Sequence, residues 1–307
     1  MFSIVFPGQG SQTVGMATDL YNQYTYIKEL FQKADHEVGY SLSKIILQGP
    51  QEKLNQTEIT QPAIFLVSFS IFQMLKRESN FDLNKIQYFA GHSLGEYSAL
   101  VCNGSLKFEE AIRLLKIRGR AMQNAVPNGS GGMIAVLGVS SDQIEELLKE
   151  NINKYNCFIA NDNSTGQIVV SGMNKCVELL SEDLKKKSIK NIKLPVSAPF
   201  HCKLMNSATT IMHNEINKIN FLSPEKPIIS NVTAKETKQI DEIKDLLVKQ
   251  IESPVRWRES VIYMKNNGIT KVLEIGPGKV LSGLIKRIDR SISTVSINSI
   301  KDLDAIN

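Results

Sequence analysis

Apolar and polar positions along this chain recur with two different periods. Residues 2–6, "FSIVF", make a short apolar, β-branched run that "PGQGSQ" breaks, which predicts a strand running into a loop. Residues 86–90, "IQYFA", 227–230, "PIIS", and 271–275, "KVLEI", predict three more strands. Between them the period lengthens. Ile64, Phe65, Val67, Ile71, Phe72 and Leu75 predict a mostly apolar helix over 62–77, a second helix is expected from about Leu94, and a third covers 108–125. Strands alternating with helices predict an α/β fold, a mainly parallel sheet covered by helices.

The middle of the chain follows another order. "MIAVLGV" at 133–139 reads as a strand, "SSDQIEELLKE" at 140–150 as a helix capped by Ser141 or its neighbour, and "YNCFIA" and "GQIVVSG" as strands joined by "NDNST". A helix in "NKCVELLSEDLKKK" and a last strand in "IKNIKLPV" at 189–196 complete a β-α-β-β-α-β series, the ferredoxin-like signature. Glycines precede this series and Pro195 and Pro199 follow it. The reading is therefore a small domain at 127–196 inserted into a larger α/β domain built from 1–126 and 197–307.

Composition narrows the functional classes. The 307 residues are 42% hydrophobic and 22% charged, ordinary for a globular protein with a substantial core. No apolar run is expected to be long enough to span a bilayer, and the first residues lack the basic and long apolar regions of a secretory signal. Cys102, Cys157, Cys176 and Cys202 match neither a zinc spacing nor a compact disulfide framework, so free thiols in a reducing cytoplasm are expected. The net charge of +5 is mild, and no arginine-rich arm points to nucleic acid. It suits an acidic partner. The densest basic stretch, "KKKSIKNIK" at 185–193, reads first as a solvated helix end.

Candidate chemistry centres on "FAGHSLGEYSAL" at 89–100. A strand, then G-x-S-x-G around Ser93, then a helix is the nucleophile-elbow pattern; a tight structural turn is the alternative. A serine needs a base. Among the four histidines, His36 and His213 sit in polar helical contexts, and His92 adjoins Ser93 on a bend that should point the two side chains apart. His201, in the proline-bracketed "PVSAPFHC", is modestly favoured. Arg118 stands at core-facing positions of the 108–125 helix, four after Leu114 and four before Met122. It is either a structural ion pair, a snorkelling side chain, or a clamp for a ligand carboxylate.

Taken together, "FPGQGSQ" (6–12), "GHSLGEYSAL" (91–100), "IRGRAMQ" (117–123), "PFHC" (199–202), "SNVTA" (230–234), "SPVRW" (253–257) and "EIGPGKVLSGL" (274–284) resemble the malonyl-CoA:acyl carrier protein transacylase family from end to end. The resemblance implies an α/β-hydrolase-like large domain with a ferredoxin-like insert. It implies Ser93 as nucleophile, His201 as base, and Gln250 orienting His201 through its backbone carbonyl. Backbone N–H groups of Gln9 and Leu94 would form an oxyanion hole. Arg118, one acyl length from the serine, would pair with the malonyl carboxylate. Met122, Asn161, Asn231 and Phe200 would approach the acyl or pantetheine portion. Malonyl would pass from malonyl-CoA, through malonyl-Ser93, to the pantetheine thiol of acyl carrier protein. No metal or redox cofactor is implied, and a monomer is expected. Residues 185–193, Arg256, Arg258, Lys286 and Arg287 are candidates for docking the acidic carrier. A serine hydrolase or thioesterase using the same elbow, a non-catalytic binding module, and a phosphate-binding protein are the rival readings.

Overall fold

The computed structural model describes residues 1–305. Its strands are β1 (Phe2–Phe6), β2 (Ile86–Gly91), β3 (Gly131–Leu137), β4 (Cys157–Ser164), β5 (Gln167–Met173), β6 (Asn191–Lys193), β7 (Ile228–Ile229), β8 (Glu236–Thr237), β9 (Lys271–Ile275) and β10 (Ser293–Ile297). They make two sheets. The larger has the order β10-β9-β1-β2-β7-β8, parallel throughout except for the β7–β8 pair.

Successive side chains on a strand point to opposite faces, so a sheet covered on both sides needs two apolar sets. That division is visible here. Ile4, Phe6, Phe89, Leu273 and Ile275 enter one core, and Val5, Tyr88, Ala90 and Val272 enter another. The second core is closed by Trp257, Val261 and Met264 of the Trp257–Asn266 helix and by Leu281, Leu284 and Ile285 of the Val280–Ile288 helix. The first is closed mainly by the Thr57–Glu78 and Phe108–Gln123 helices. These two helices approach closely at Gly119, where a Cβ would lie 2.6 Å from the Thr57 carbonyl oxygen. This spacing lets the residue before it, Arg118, reach across to Gln61.

The smaller sheet is antiparallel, in the order β4-β5-β3-β6. Ile134, Val136, Ile168 and Val170 pack beneath the Ser141–Glu150 and Asn174–Lys186 helices. The alternate residues Met133, Ala135 and Val169 turn the other way and join the main core. A bridge between Asn161 and Val255 ties this sheet to the rest of the chain.

Several elements differ from the sequence expectation. The N-terminal helices Thr18–Gln23, Thr25–Val38, Leu42–Gln48 and Gln51–Leu54 were not anticipated. β4 continues through "NDNS", because its pairing with β5 runs from Cys157 to Ser164; only Thr165 and Gly166 make the turn. The last strand of the smaller sheet is three residues long, not eight, and pairs with β3 alone. The cap of the helix that follows β3 agrees with expectation: it is Ser140, the neighbour of Ser141, in a reciprocal capping box with Gln143.

The expectation of no spanning-length apolar run is corrected by the Thr57–Glu78 helix. It has 22 residues and a mean hydropathy of 1.3 over its most apolar window, enough to cross a membrane on length and composition. Its polar residues Gln61, Ser68 and Ser70 concealed this in the sequence. Of that window 83% is buried inside the protein, which makes it a core helix.

Candidate active site

β2 ends at Gly91 and the Gly95–Cys102 helix begins four residues later. The turn between them is too tight for side chains at its two glycines. A Cβ on Gly91 would lie 1.9 Å from the Gly95 carbonyl carbon, and one on Gly95 would lie 2.2 Å from the Phe6 carbonyl oxygen. Ser93 at the apex is held in the left-handed region, φ 52°. Asn231 fastens this bend. Its Oδ1 accepts from the Ser93 N–H at 2.7 Å, and its Nδ2 donates to the Gly91 carbonyl at 2.7 Å.

The Ser93 hydroxyl meets His201. The Oγ to Nε2 distance is 2.8 Å, and Nδ1 of the same ring lies 2.9 Å from the Gln250 main-chain carbonyl. That carbonyl can only accept, so it fixes the proton on Nδ1 and leaves Nε2 to accept from the serine. His201 also has a left-handed backbone, φ 58°. Burial first, then repulsion from Arg118, push its pKa down to about 3, against the opposing effect of the Gln250 hydrogen bond. At neutral pH the imidazole is therefore an uncharged acceptor.

Arg118 is 1% exposed, yet among the described residues no carboxylate pairs with it. Nη1 donates to Gln61 Oε1 at 2.7 Å, and Nη2 donates to Gln250 Oε1 at 2.8 Å and to Ser93 Oγ at 3.1 Å. Nε is buried with no hydrogen-bond partner, and the Tyr97 ring lies 5.7 Å below the guanidinium carbon. Two neutral amides thus hold a buried cation in place without cancelling its charge, an arrangement that is costly unless an anion joins it. The cation touches the Ser93 hydroxyl itself instead of standing one acyl length away.

Beneath the elbow lies a carboxylate that the sequence reading passed over. Glu96 is 3% exposed; its Oε2 accepts from Gln250 Nε2 at 2.8 Å and from the Asn231 N–H at 3.1 Å. Burial pushes its pKa up to about 7, opposed by those two hydrogen bonds and by Arg118. Gln61 and the Gln250 side chain were missed as well. Gln250, just past the charge-rich Ile240–Lys249 helix, carries no local signal, whereas Gln61 stands out as a polar group beside the apolar run at 62–67. Glu96, in "GEYSALV", carries the same mark.

A cavity of about 100 Å³ gathers most of the anticipated residues. Gln9, Leu94, Arg118, Met122, Asn161, Phe200 and His201 line it with Ser93. Asn231 does not, because its amide is turned back into the elbow, so its expected approach to the acyl group is replaced by a structural hold on Ser93. His92 contributes to the wall, but its Nε2 is directed at Asn163 Oδ1, 2.8 Å away, and not at the serine. His36 and His213 are exposed. The cavity adjoins a hollow of about 1140 Å³ that shares Gln9, Leu194 and Val196, and another of about 780 Å³ that shares His201. Among the described residues, no cluster of three or more His, Cys, Asp or Glu side chains is placed to hold a metal ion, and all four cysteines are free.

Residues 3–301 match the acyl transferase domain family. The malonyl CoA-acyl carrier protein transacylase of Haemophilus influenzae is 41% identical over 306 residues, covering 99% of this chain and 97% of its own length. The Bacillus subtilis protein of the same name is 40% identical over 298 residues, covering 96% and 93%. An acyl carrier protein S-malonyltransferase structure from Vibrio cholerae superposes with a TM-score of 0.94 at 41% identity, over 100% of this chain and 99% of that one. A malonyl-transacylase solved in complex with a type II PKS acyl-carrier protein gives 0.95 at 38% identity, over 99% and 98%.

Proposed function

Since this chain belongs to the acyl transferase domain family, we propose that it is an S-malonyltransferase, moving malonyl from malonyl-CoA to the pantetheine thiol of acyl carrier protein for fatty acid synthesis. The observation that carries the reading is the buried Arg118 guanidinium, held by the Gln61 and Gln250 amides and hydrogen-bonded to the nucleophile. Arginine's planar fork fits a carboxylate, and acetyl has none to offer.

In this mechanism the malonyl carboxylate settles on Arg118. His201 Nε2 takes the Ser93 proton as Oγ attacks the thioester carbon. The tetrahedral oxyanion sits against the N–H groups of Leu94, at the start of the Gly95–Cys102 helix, and of Gln9; losing one such donor typically costs ~3 kcal/mol of transition-state stabilisation. His201 gives its proton to the departing sulfur, CoA leaves as the thiol, and malonyl-Ser93 remains. The carrier's thiol then attacks with His201 again as base, restoring Ser93. The Gln250 carbonyl orients the imidazole in place of the carboxylate of a Ser-His-Asp triad. Met122, Asn161 and Phe200 line the acyl cavity in this reading. The reaction requires no cofactor.

Within the same reading, 1–126 and 197–307 form an α/β-hydrolase-like catalytic domain and 127–196 a ferredoxin-like insert, which the β4-β5-β3-β6 order supports. The enzyme is taken as a cytoplasmic monomer. Of the basic groups considered for carrier docking, Arg256 is engaged with Glu259, Arg258 with Asp162, Lys186 with Asp183 and Lys193 with Glu178. Lys286 and Arg287 instead join Arg290 around a surface hollow whose lining contains no carboxylate, which keeps them, with Lys185, Lys187 and Lys190 of the basic stretch, as the groups proposed for docking.

A serine hydrolase would share the elbow but has no use for Arg118. The deciding experiment follows the fate of malonyl when malonyl-CoA and pantetheine-loaded carrier are supplied together. Malonyl-carrier is expected; free malonate with unmodified carrier would favour the hydrolase.

A further inference from the structure

The buried polar network behind the elbow contains one carboxylate, Glu96, among Gln61, Arg118, Asn231 and Gln250. We propose that Glu96 is a positioning residue that fixes which way the Gln250 side-chain amide faces, and through it sets both the malonyl clamp and the base. The inference rests on the transfer reading above and extends it to a residue that does not reach the cavity.

Donors and acceptors around the Gln250 amide match in one orientation only. Gln250 is fully buried, so its amide has no water to turn to. Its Nε2 faces acceptors only: Glu96 Oε2 at 2.8 Å, the Ser93 carbonyl at 3.2 Å and Asn231 Oδ1 at 3.5 Å. Its Oε1 faces Arg118 Nη2 at 2.8 Å. Reversing the amide would set Nε2 against the guanidinium, donor to donor, and Oε1 against the carboxylate, acceptor to acceptor. Of Nε2's contacts, the one to Glu96 is the shortest. Glu96 Oε2 also accepts from the Asn231 N–H, whose side chain in turn holds the Ser93 N–H. One oxygen therefore ties the nucleophile's turn to the residue whose main-chain carbonyl orients His201 and whose side chain orients Arg118.

What this role requires is an acceptor at the right reach. Glu96→Gln keeps the reach and one amide oxygen while removing the charge. Glu96→Asp keeps the charge and withdraws the acceptor by one methylene. Each variant is mixed with malonyl-CoA or acetyl-CoA, and single-turnover acylation is read by intact mass and scaled to the fraction of serine that can be acylated. Melting temperature is recorded alongside. The expected result is a malonyl-over-acetyl ratio near wild type for Glu96→Gln and one reduced about tenfold or more for Glu96→Asp, since a buried donor there loses its partner. The reverse order, equal losses in both, or an unchanged ratio in both would overturn the assignment, including where only the melting temperature moves. Wild-type enzyme that takes no malonyl at all would overturn the transfer reading and this inference with it, so the two failures are distinguishable.

Discussion

Arg118 Nη2 donates to Ser93 Oγ across 3.1 Å. The same hydroxyl is the donor to His201 Nε2, so it sits between a fixed cation and a neutral imidazole. In the proposed transfer Oγ becomes an ester oxygen and a weaker acceptor, which would release the Nη2 hydrogen to the carboxylate arriving with the acyl group. Substrate selection and nucleophilic attack would then share one hydrogen bond.

Replacing the cation with an apolar side chain of similar length should separate the two acyl groups. Arg118→Met is expected to slow malonyl transfer by about a hundredfold or more while acetyl transfer survives, because only malonyl loses a charge-assisted partner. Paired single-turnover rates with the two thioesters check this. Equal loss for both would count against the clamp.

The base should titrate unusually low. His201 is pushed down to about 3 from its ordinary 6.5, first by burial and then by Arg118. The acid limb of acylation measured with acetyl-CoA, which leaves Arg118 unneutralised, is therefore expected well below 6.5. In Arg118→Met the limb should move upward, since a repelling cation is gone. A limb at 6.5 in both enzymes would show that the imidazole is not held as described.

Glu96 predicts an opposite dependence in stability. Its pKa is raised from 4.5 to about 7, so between those values the native state holds a proton that the unfolded chain has released. Its contribution is complete below 4.5 and is lost as pH rises toward 7. The stability difference between wild type and Glu96→Gln, taken from urea unfolding, should shift against wild type over that window by at most ~1.4 kcal/mol per pH unit. A difference independent of pH would mean that the carboxyl is not buried in its charged-disfavouring setting.

Asn231 is expected to act on the turn and not on substrate affinity. Asn231→Ala leaves the Ser93 N–H and the Gly91 carbonyl without their partner and should cost about 1–3 kcal/mol of stability. Steady-state kinetics should show kcat falling with KM little changed. A raised KM at constant kcat would return Asn231 to the acyl pocket.

Much of this site was legible in the sequence because its parts obey local rules. Only glycine fits at 91 and 95, so the elbow announces itself around Ser93. Arg118 is visible as a charge on an apolar helix face, and short apolar runs alternating with helical periods give the helix-covered parallel sheet. What was not legible depends on partners far apart in the chain. Asn231 reaches Ser93 across 138 positions, and Gln250 reaches Glu96 across 154. No periodicity encodes which way a buried amide faces. The two-residue strand β8 and the brief helices Thr18–Gln23 and Gln51–Leu54 also lack enough length for a pattern to emerge, whereas the Thr25–Val38 helix buries Ile27, Phe31, Ala34 and Val38 at a helical spacing that went unread.

The central claim is that Ser93 carries the malonyl group between two thiols. Intact-mass analysis after brief mixing with malonyl-CoA tests it most directly. One malonyl adduct is expected, on the peptide containing Ser93, discharged by pantetheine-loaded carrier and missing in Ser93→Ala. Transfer that proceeds with no adduct, or an adduct that persists in Ser93→Ala, would contradict it.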